Sequence, residues 1–457
     1  MIRRAALAPA LLALVACATP AAAPAPSAQP TGFPVQRGTL PPPPQNDATA
    51  ASTPTSGQAS APAAVPAAPM LRGVVSPGPL RPTGDAAFDA WREDFVARAG
   101  PAWRPLIERE LAGVTPDPRV VAADSRQPEF SRPIGAYVAD AASATRIANG
   151  RRAMATVPQL DAISARSGVP KEILIAIWGM ESAYGQIQGD YDIVRSMATL
   201  AAHGRRRSFA ETQLYAALRM IAEGSVTRAQ LKGSWAGGMG QTQFIPDTYL
   251  ARAMDGDGDG RADIWRSRAD ALASAANLLQ RAGWRSGRPW ATEVSLPQGF
   301  DYTLVEDTTQ PVSAWIERGV EKATGRRFDA AEQADEMRLI LPAGARGPAF
   351  LVGANHDAIR AYNNSVSYAL SIGFIADALQ GRPPVQRAWP QDAPLSLADR
   401  REAQTLLTAA GFDTGGVDGV TGSNTRRALR AWQRANGRVP DGYLNGEALA
   451  ALRRAAR

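Results

Sequence analysis

Apolar positions recur at helical spacing along most of this chain, and alternate at strand spacing in one central stretch. Phe88, Trp91 and Phe95, followed by Trp103, Leu106, Ile107 and Leu111, form the first ordered stripe and predict a helical start to the folded part. Helices are expected from Val157 to Arg166 and from Pro170 to Ser182. The two are separated by Ser167-Gly168-Val169, and Pro170 is suited to a first helical turn. Further helical patterns run from Ser208 to Glu223, Ala269 to Ala282 and Asp357 to Leu379. Between about Glu293 and Leu351 short alternating runs take over, such as Met337-Arg-Leu-Ile-Leu341 and Ala349-Phe-Leu-Val352, and predict a small β-containing subdomain. A Pro-rich stretch at 383–394 reads as a linker, and Leu395–Arg457 reads as a final unit of compact helices.

Ahead of the first stripe, Ala18 to about Met70 is Pro, Ala, Ser, Thr and Gln, with Phe33 the only aromatic. Such a segment cannot bury enough apolar surface to offset its ordering entropy, so residues 18–84 are expected to be a disordered tether. Residues 1–17 read as an export signal: Met1-Ile-Arg-Arg4 is basic, and the apolar run Ala5–Ala16 is too short to span a bilayer. Leu14-Val15-Ala16-Cys17 resembles a bacterial lipobox, with Cys17 as the acylated residue and a lipid anchor as the consequence. Ala18 after the cysteine resembles the signal that sorts lipoproteins to the outer membrane. An ordinary cleavage site with an incidental cysteine is the competing reading.

The composition is that of a soluble globular protein, with 45% apolar and 20% charged residues. Its formal charge of +7 is explained either by solubility or by attraction to an acidic polymer. One Cys and two His, His203 and His356, exclude a zinc-ligand cluster and an intramolecular disulfide.

The chemistry is expected at Glu181. It continues the stripe Ile173, Ile177, Glu181 on a helix that ends near Gly185. Burial and the negative helix end both disfavour ionisation, which suits a general acid. A glutamate capped or paired with a neighbouring arginine is the alternative reading of the same spacing.

Two blocks carry a resemblance. Ile177-Trp-Gly-Met-Glu-Ser-Ala-Tyr-Gly185 and Gly233-Ser-Trp-Ala-Gly-Gly-Met-Gly-Gln-Thr-Gln-Phe-Ile-Pro246 resemble the membrane-bound lytic murein transglycosylase B family, over roughly residues 85–385. The resemblance implies a mainly α (α+β) fold: a lysozyme-like helical catalytic domain with a small β-containing subdomain. It also implies cleavage of peptidoglycan between N-acetylmuramic acid and N-acetylglucosamine, leaving a 1,6-anhydromuramoyl end. Most glycosidases need two carboxylates. Here the sugar's own C6 hydroxyl would attack, so one glutamate suffices as acid and then base. The chemistry would require no cofactor, and the partner would be the glycan strand, not nucleic acid.

By the same resemblance Ser234 and Gln243 bind near Glu181, and Tyr362-Asn363 lines the cleft opposite it. Arg205 and Arg206 meet peptide carboxylates; taken alone they read as a solvated face. Tyr184 and Trp178 either stack on sugars or pack, and packing is the expectation for Trp178. Asp255-Gly-Asp-Gly-Asp-Gly-Arg-Ala-Asp263 reads as the start of an EF-hand loop lacking its usual Glu, since Arg266 stands at position twelve. A structural Ca2+ held by Asp255, Asp257, Asp259, Arg261 and, as in the family's longer loop, Asp270 is expected, with a polar turn as the alternative. Glu402–Gly422 and Thr425–Arg434 resemble a three-helix peptidoglycan-binding domain, within which Leu406, Leu429 and Trp432 are expected in the core. Two other functions stay open at this point, a hydrolytic muramidase and a non-catalytic wall-binding scaffold. The expected location is the periplasm, lipid-anchored to the outer membrane.

Overall fold

The computed structural model describes residues 80–125 and 132–457; the signal, Cys17 and the tether expected at 18–84 lie outside the described residues, except for 80–84. Two compact units result. The first gathers residues 80–125 with Ile177–Ala275, and the second gathers residues 132–176 with Ala276–Arg457.

The first unit begins with the Ala86–Leu111 helix, capped by Asp85, whose side chain accepts from the Phe88 amide. Gly100, at φ 74°, breaks it just before Pro101, so the two halves of the predicted stripe turn separately. Phe95 and Trp103 both reach Tyr215 of the Arg207–Ala222 helix, with ring centroids 4.7 and 5.1 Å apart. Beside them Glu211 is fully buried. Burial opposes its charge, but hydrogen bonds from Arg207, Trp91 and Arg98 outweigh it and hold the carboxyl below its ordinary range. The Arg207–Ala222 helix packs along Ile193–His203, and a short ladder pairs β1 (Tyr191–Asp192) with β2 (Lys232–Gly233).

The second unit holds an antiparallel five-stranded sheet of β3 (Ala291–Ser295), β4 (Thr309–Pro311), β5 (Glu321–Lys322), β6 (Glu336–Ile340) and β7 (Ala349–Val352). Their order is β4-β6-β7-β3-β5. The central β7 is buried on both faces. Ala349 and Leu351 join a core with Val312, Trp315 and Leu339, while Phe350 packs on Phe374 and Trp389.

One sequence expectation changes here. The single helix expected over Asp357–Leu379 is two, Ala354–Tyr362 and Val366–Leu379. Asn363 is extended between them and the Ser365 side chain caps the second by accepting from the Tyr368 amide. Within the stretch 383–394, expected as a linker, Gln386, Arg387 and Trp389 make contacts of their own. The amides of Gln386 and Arg387 donate to the Glu293 carboxylate at 2.7 and 2.9 Å. Trp389 lies so close to Gly135 that a Cβ there would sit 2.6 Å from its own Cβ. The last module follows with helices Leu397–Ala409, Ser423–Ala435 and Gly446–Ala455. Its core contains Leu429 and Trp432, with Leu406 partly buried against it.

Candidate active site

The Lys171–Ser182 helix is apolar on every side from Ile173 to Trp178, and each of those six residues is buried. A helix with no polar face is an interior helix. Glu181 comes one residue before its end and is only 5% exposed. The helix then stops abruptly, because Ala183 and Tyr184 both adopt left-handed backbone, at φ 49° and 63°. The Tyr184 amide donates back across six residues to the Trp178 carbonyl at 3.2 Å, which closes the helix end. The Tyr184 ring folds over Gly179 and meets Trp178 edge-on at 5.7 Å.

Left-handed backbone at residues other than glycine costs about 1–3 kcal/mol each and gathers where surrounding structure enforces it. Among the described residues four non-glycines have positive φ, and three lie in the two sequence blocks: Ala183, Tyr184 and Gln243.

The second block wraps a tight turn against this helix end. The Ser234 amide donates to the Gly238 carbonyl at 2.7 Å, and the Gly238 amide returns a bond to Ser234 Oγ at 2.9 Å. A Cβ at Gly238 would lie 2.8 Å from Gln243 Oε1 and 3.0 Å from Ser234 Oγ, so both polar atoms converge on that glycine. Gln243 is held by its own amide, which donates to the carbonyls of Gln188 and Gly240 at 3.0 and 2.9 Å. Ser182 Oγ donates to the Gln241 carbonyl at 2.5 Å, which ties the residue next to Glu181 directly to this turn.

The other candidates are more scattered. Arg205 and Arg206 stand exposed at the turn between the Ile193–His203 and Arg207–Ala222 helices. Arg205 donates to the Asp124 carbonyl at 2.7 Å, and the Arg206 guanidinium lies 4.9 Å from the centre of the Phe209 ring. Tyr362 and Asn363 belong to the second unit, at the break between its two helices, with Tyr362 stacked on Tyr368 at 6.4 Å.

In the acidic loop, carboxylate oxygens of Asp255, Asp257 and Asp259 come within 4.8 Å of one another. Three hard oxygen donors so close together suit Ca2+ or Mg2+, and the amides of Gly258 and Gly260 and the Ser267 hydroxyl also donate to this set. Asp270 stands outside this trio. Its Oδ1 accepts from the amides of Gly256 and Asp257 and its Oδ2 from Asp263, so it braces the loop. Burial pushes the Asp270 carboxyl up, and those amides partly offset the effect. The Arg261 amide donates to Asp259 Oδ1 at 2.9 Å.

Gln188, Gln241 and Trp265, none of them a candidate from the sequence, link the two blocks. Gln188 donates to the carbonyls of Gly185 and Trp265, and Gln241 receives the Trp178 indole N–H. Their one sequence signal is the repeated glutamine in Gly240-Gln-Thr-Gln243. Among the described residues no helix is long and apolar enough to cross a membrane.

Comparison with known proteins places this geometry in context. A model for the "Putative peptidoglycan binding domain" matches residues 396–452. Membrane-bound lytic murein transglycosylase B of Escherichia coli (strain K12) is 31% identical over 219 residues, 46% of this chain and 57% of that protein. The chain thus spans little more than half the length of that curated relative. Crystal structures of SltB3 from Pseudomonas aeruginosa, in complex with NAG-anhNAM-pentapeptide and with NAG-NAM-pentapeptide, are 45% identical with a TM-score of 0.75. They cover 81% and 80% of this chain and all of the matched chain. The Escherichia coli lytic transglycosylase Slt35 in complex with calcium shares the fold, at 24% identity and a TM-score of 0.53, over 65% of this chain and 93% of its own. With the model described as "Transglycosylase SLT domain" matching residues 87–377, well over half its length, the chain belongs to that family.

Proposed function

We propose that this protein is a peptidoglycan lytic transglycosylase in which Glu181 acts alone, first as acid and then as base. The observation that carries this reading is a carboxylic acid buried at the end of an apolar helix, its neighbour Ser182 bonded to the glycine-rich turn of Ser234 and Gln243. Glu181 is also the sole carboxylate in the two blocks 177–185 and 233–246. Support comes as well from SltB3, crystallised with both an N-acetylmuramic and an anhydro-muramic ligand.

Glu181 gives its proton to the glycosidic oxygen as the bond from C1 of N-acetylmuramic acid to O4 of N-acetylglucosamine breaks. The C6 hydroxyl of the muramic sugar then bonds to C1, and its proton returns to Glu181. No water is consumed, which is why a second carboxylate is not required. Ser234 and Gln243 hydrogen-bond the sugars' N-acetyl groups, with Tyr184, Tyr362 and Asn363 as further glycan contacts and Arg205 and Arg206 as contacts for stem-peptide carboxylates. Asp255, Asp257 and Asp259, with the Arg261 carbonyl, hold a structural Ca2+ in a loop braced by Asp270. The 396–452 module binds the wall and raises the local enzyme concentration there. Acylation at Cys17 anchors the chain to the outer membrane, facing the periplasm.

The test is digestion of purified sacculi, with the products weighed. Wild-type protein is expected to release anhydro-ended muropeptides, and Glu181→Gln to release none while still sedimenting with sacculi. Products heavier by one water identify a hydrolytic muramidase instead, and full release by Glu181→Gln removes the glutamate from the chemistry.

A further inference from the structure

We infer that Gln241 is a positioning residue for Glu181, clamping the end of its helix to the segment that closes the acidic loop; this rests on Glu181 being the acid. Gln241 is 3% exposed, and both its backbone and its side chain bond in two directions. Toward the helix, its Oε1 accepts from Trp178 Nε1 at 3.1 Å and its carbonyl accepts from Ser182 Oγ at 2.5 Å. Those partners lie three residues before Glu181 and one after it, so they bracket the carboxylic acid along the last helical turn. Away from the helix, the Gln241 amide donates to the Ile264 carbonyl at 2.9 Å and its Nε2 donates to the Trp265 carbonyl at 3.3 Å.

Ile264 and Trp265 are themselves fixed by the acidic loop. The Trp265 amide donates to Asp263 Oδ1 at 3.0 Å, and the Asp263 amide donates to Asp270 Oδ2 at 2.7 Å. On its far side the Trp265 indole donates to the Lys232 carbonyl, at the start of the Ser234 turn. Gln241 is thus the point at which the loop, the turn and the helix end meet. Its side chain lies close against Gly185, where a Cβ would come within 2.5 Å of Oε1, so only glycine leaves room for it there. Glutamine suits this position because one planar group supplies an acceptor to the helix and a donor to the loop at once. A helix end carrying a left-handed Ala183 and Tyr184 needs such restraint from outside, and a small displacement of a proton donor is costly in rate.

The experiment compares Gln241→Met, which keeps the shape and loses both polar ends, with Trp178→Phe, the two combined, and Leu214→Ala as a control. Leu214 is a fully buried core residue of the same unit. The assay follows muropeptide release from sacculi well below each variant's Tm. Gln241→Met is expected to lower kcat about 10- to 100-fold with KM nearly unchanged. It is also expected to move the alkaline limb of the kcat profile, where Glu181 loses its proton. Trp178→Phe is expected to lower kcat in the same way, and the double variant to be no worse than Gln241→Met, because that variant has already lost the Trp178 bond. Leu214→Ala should lower Tm without moving the pH profile.

An unchanged kcat in Gln241→Met, strictly additive losses, or a pH profile that shifts no more than in Leu214→Ala overturns the inference. Glu181→Gln is run alongside. If it is inactive, any of those results counts against Gln241 alone; if it retains full turnover, the assignment of the acid itself has failed.

Discussion

Gly179 and Tyr184 are a matched pair: a Cβ on the glycine would lie 2.6 Å from both Cζ and Oη of the tyrosine. The absent side chain lets the ring fold back over the helix two residues before Glu181, and with it the left-handed turn that ends the helix.

Gly179→Ala is accordingly expected to weaken the site more than the fold. Alanine favours a helix by about 1 kcal/mol over glycine, which offsets part of an overpacking cost of about 1–3 kcal/mol. Tm should fall by only a few degrees. Release of muropeptides from sacculi should fall at least about tenfold, since Tyr184 must move. Equal activity and an intact Tm would disprove the pairing.

The acidic loop gives a metal prediction. Calcium at a hundredfold excess over its Kd should stabilise the protein by about 2.7 kcal/mol, and a chelator should reverse the gain. Asp257→Asn should abolish the calcium-dependent rise in Tm, read by calorimetry, because Asp257 is one of the three converging carboxylates. Asp270→Asn is expected to lower Tm even without calcium, since its oxygens hold three backbone amides.

His356 sets a pH dependence. It is fully buried, 3.6 Å from Asp357, near Arg338 and Arg360. Burial holds its pKa below the ordinary imidazole value, Arg338 adds to this and Asp357 works against it. The unfolded chain therefore takes up the proton first as pH falls, so stability is lost below about pH 6.5 and stays intact above it. Tm measured from pH 7.5 down to 5 should decline, and His356→Leu should flatten that decline. A decline of equal slope in both proteins would assign it to other groups.

The C-terminal module carries a docking prediction. Glu306, itself at φ 70°, accepts from Arg426 Nε at 3.0 Å and lies 3.6 Å from Arg430, while Asp307 accepts from Arg427. Glu306→Lys sets a third positive charge against two arginines and is expected to cost about 1–3 kcal/mol. Limited proteolysis should then cut within 380–395, where wild-type protein resists. Adding Arg426→Glu should restore resistance, and failure of that rescue would show that the ion pairs do not hold the module.

The sequence alone determined the elements with the strongest periodicity. The helix that carries Glu181, the alternating runs of the sheet and the compact last module follow from apolar spacing and glycine punctuation, because burial of a stripe is a local property of the chain. The two long blocks likewise carried the family resemblance without any coordinates. One further break is local: the helix expected over Asp357–Leu379 is split where Asn363 is extended and the Ser365 side chain caps the second helix. What the tertiary structure decided are matters of contact between distant residues. It packed Trp389 of the expected linker against Phe350 and Phe374, which no local pattern encodes. It set Asp270 to bracing backbone amides outside the carboxylate trio, and it brought Gln241 between Trp178 and Trp265. A hydrogen bond between residues 178 and 241 leaves no periodic trace in either segment, so only folding could bring it to light.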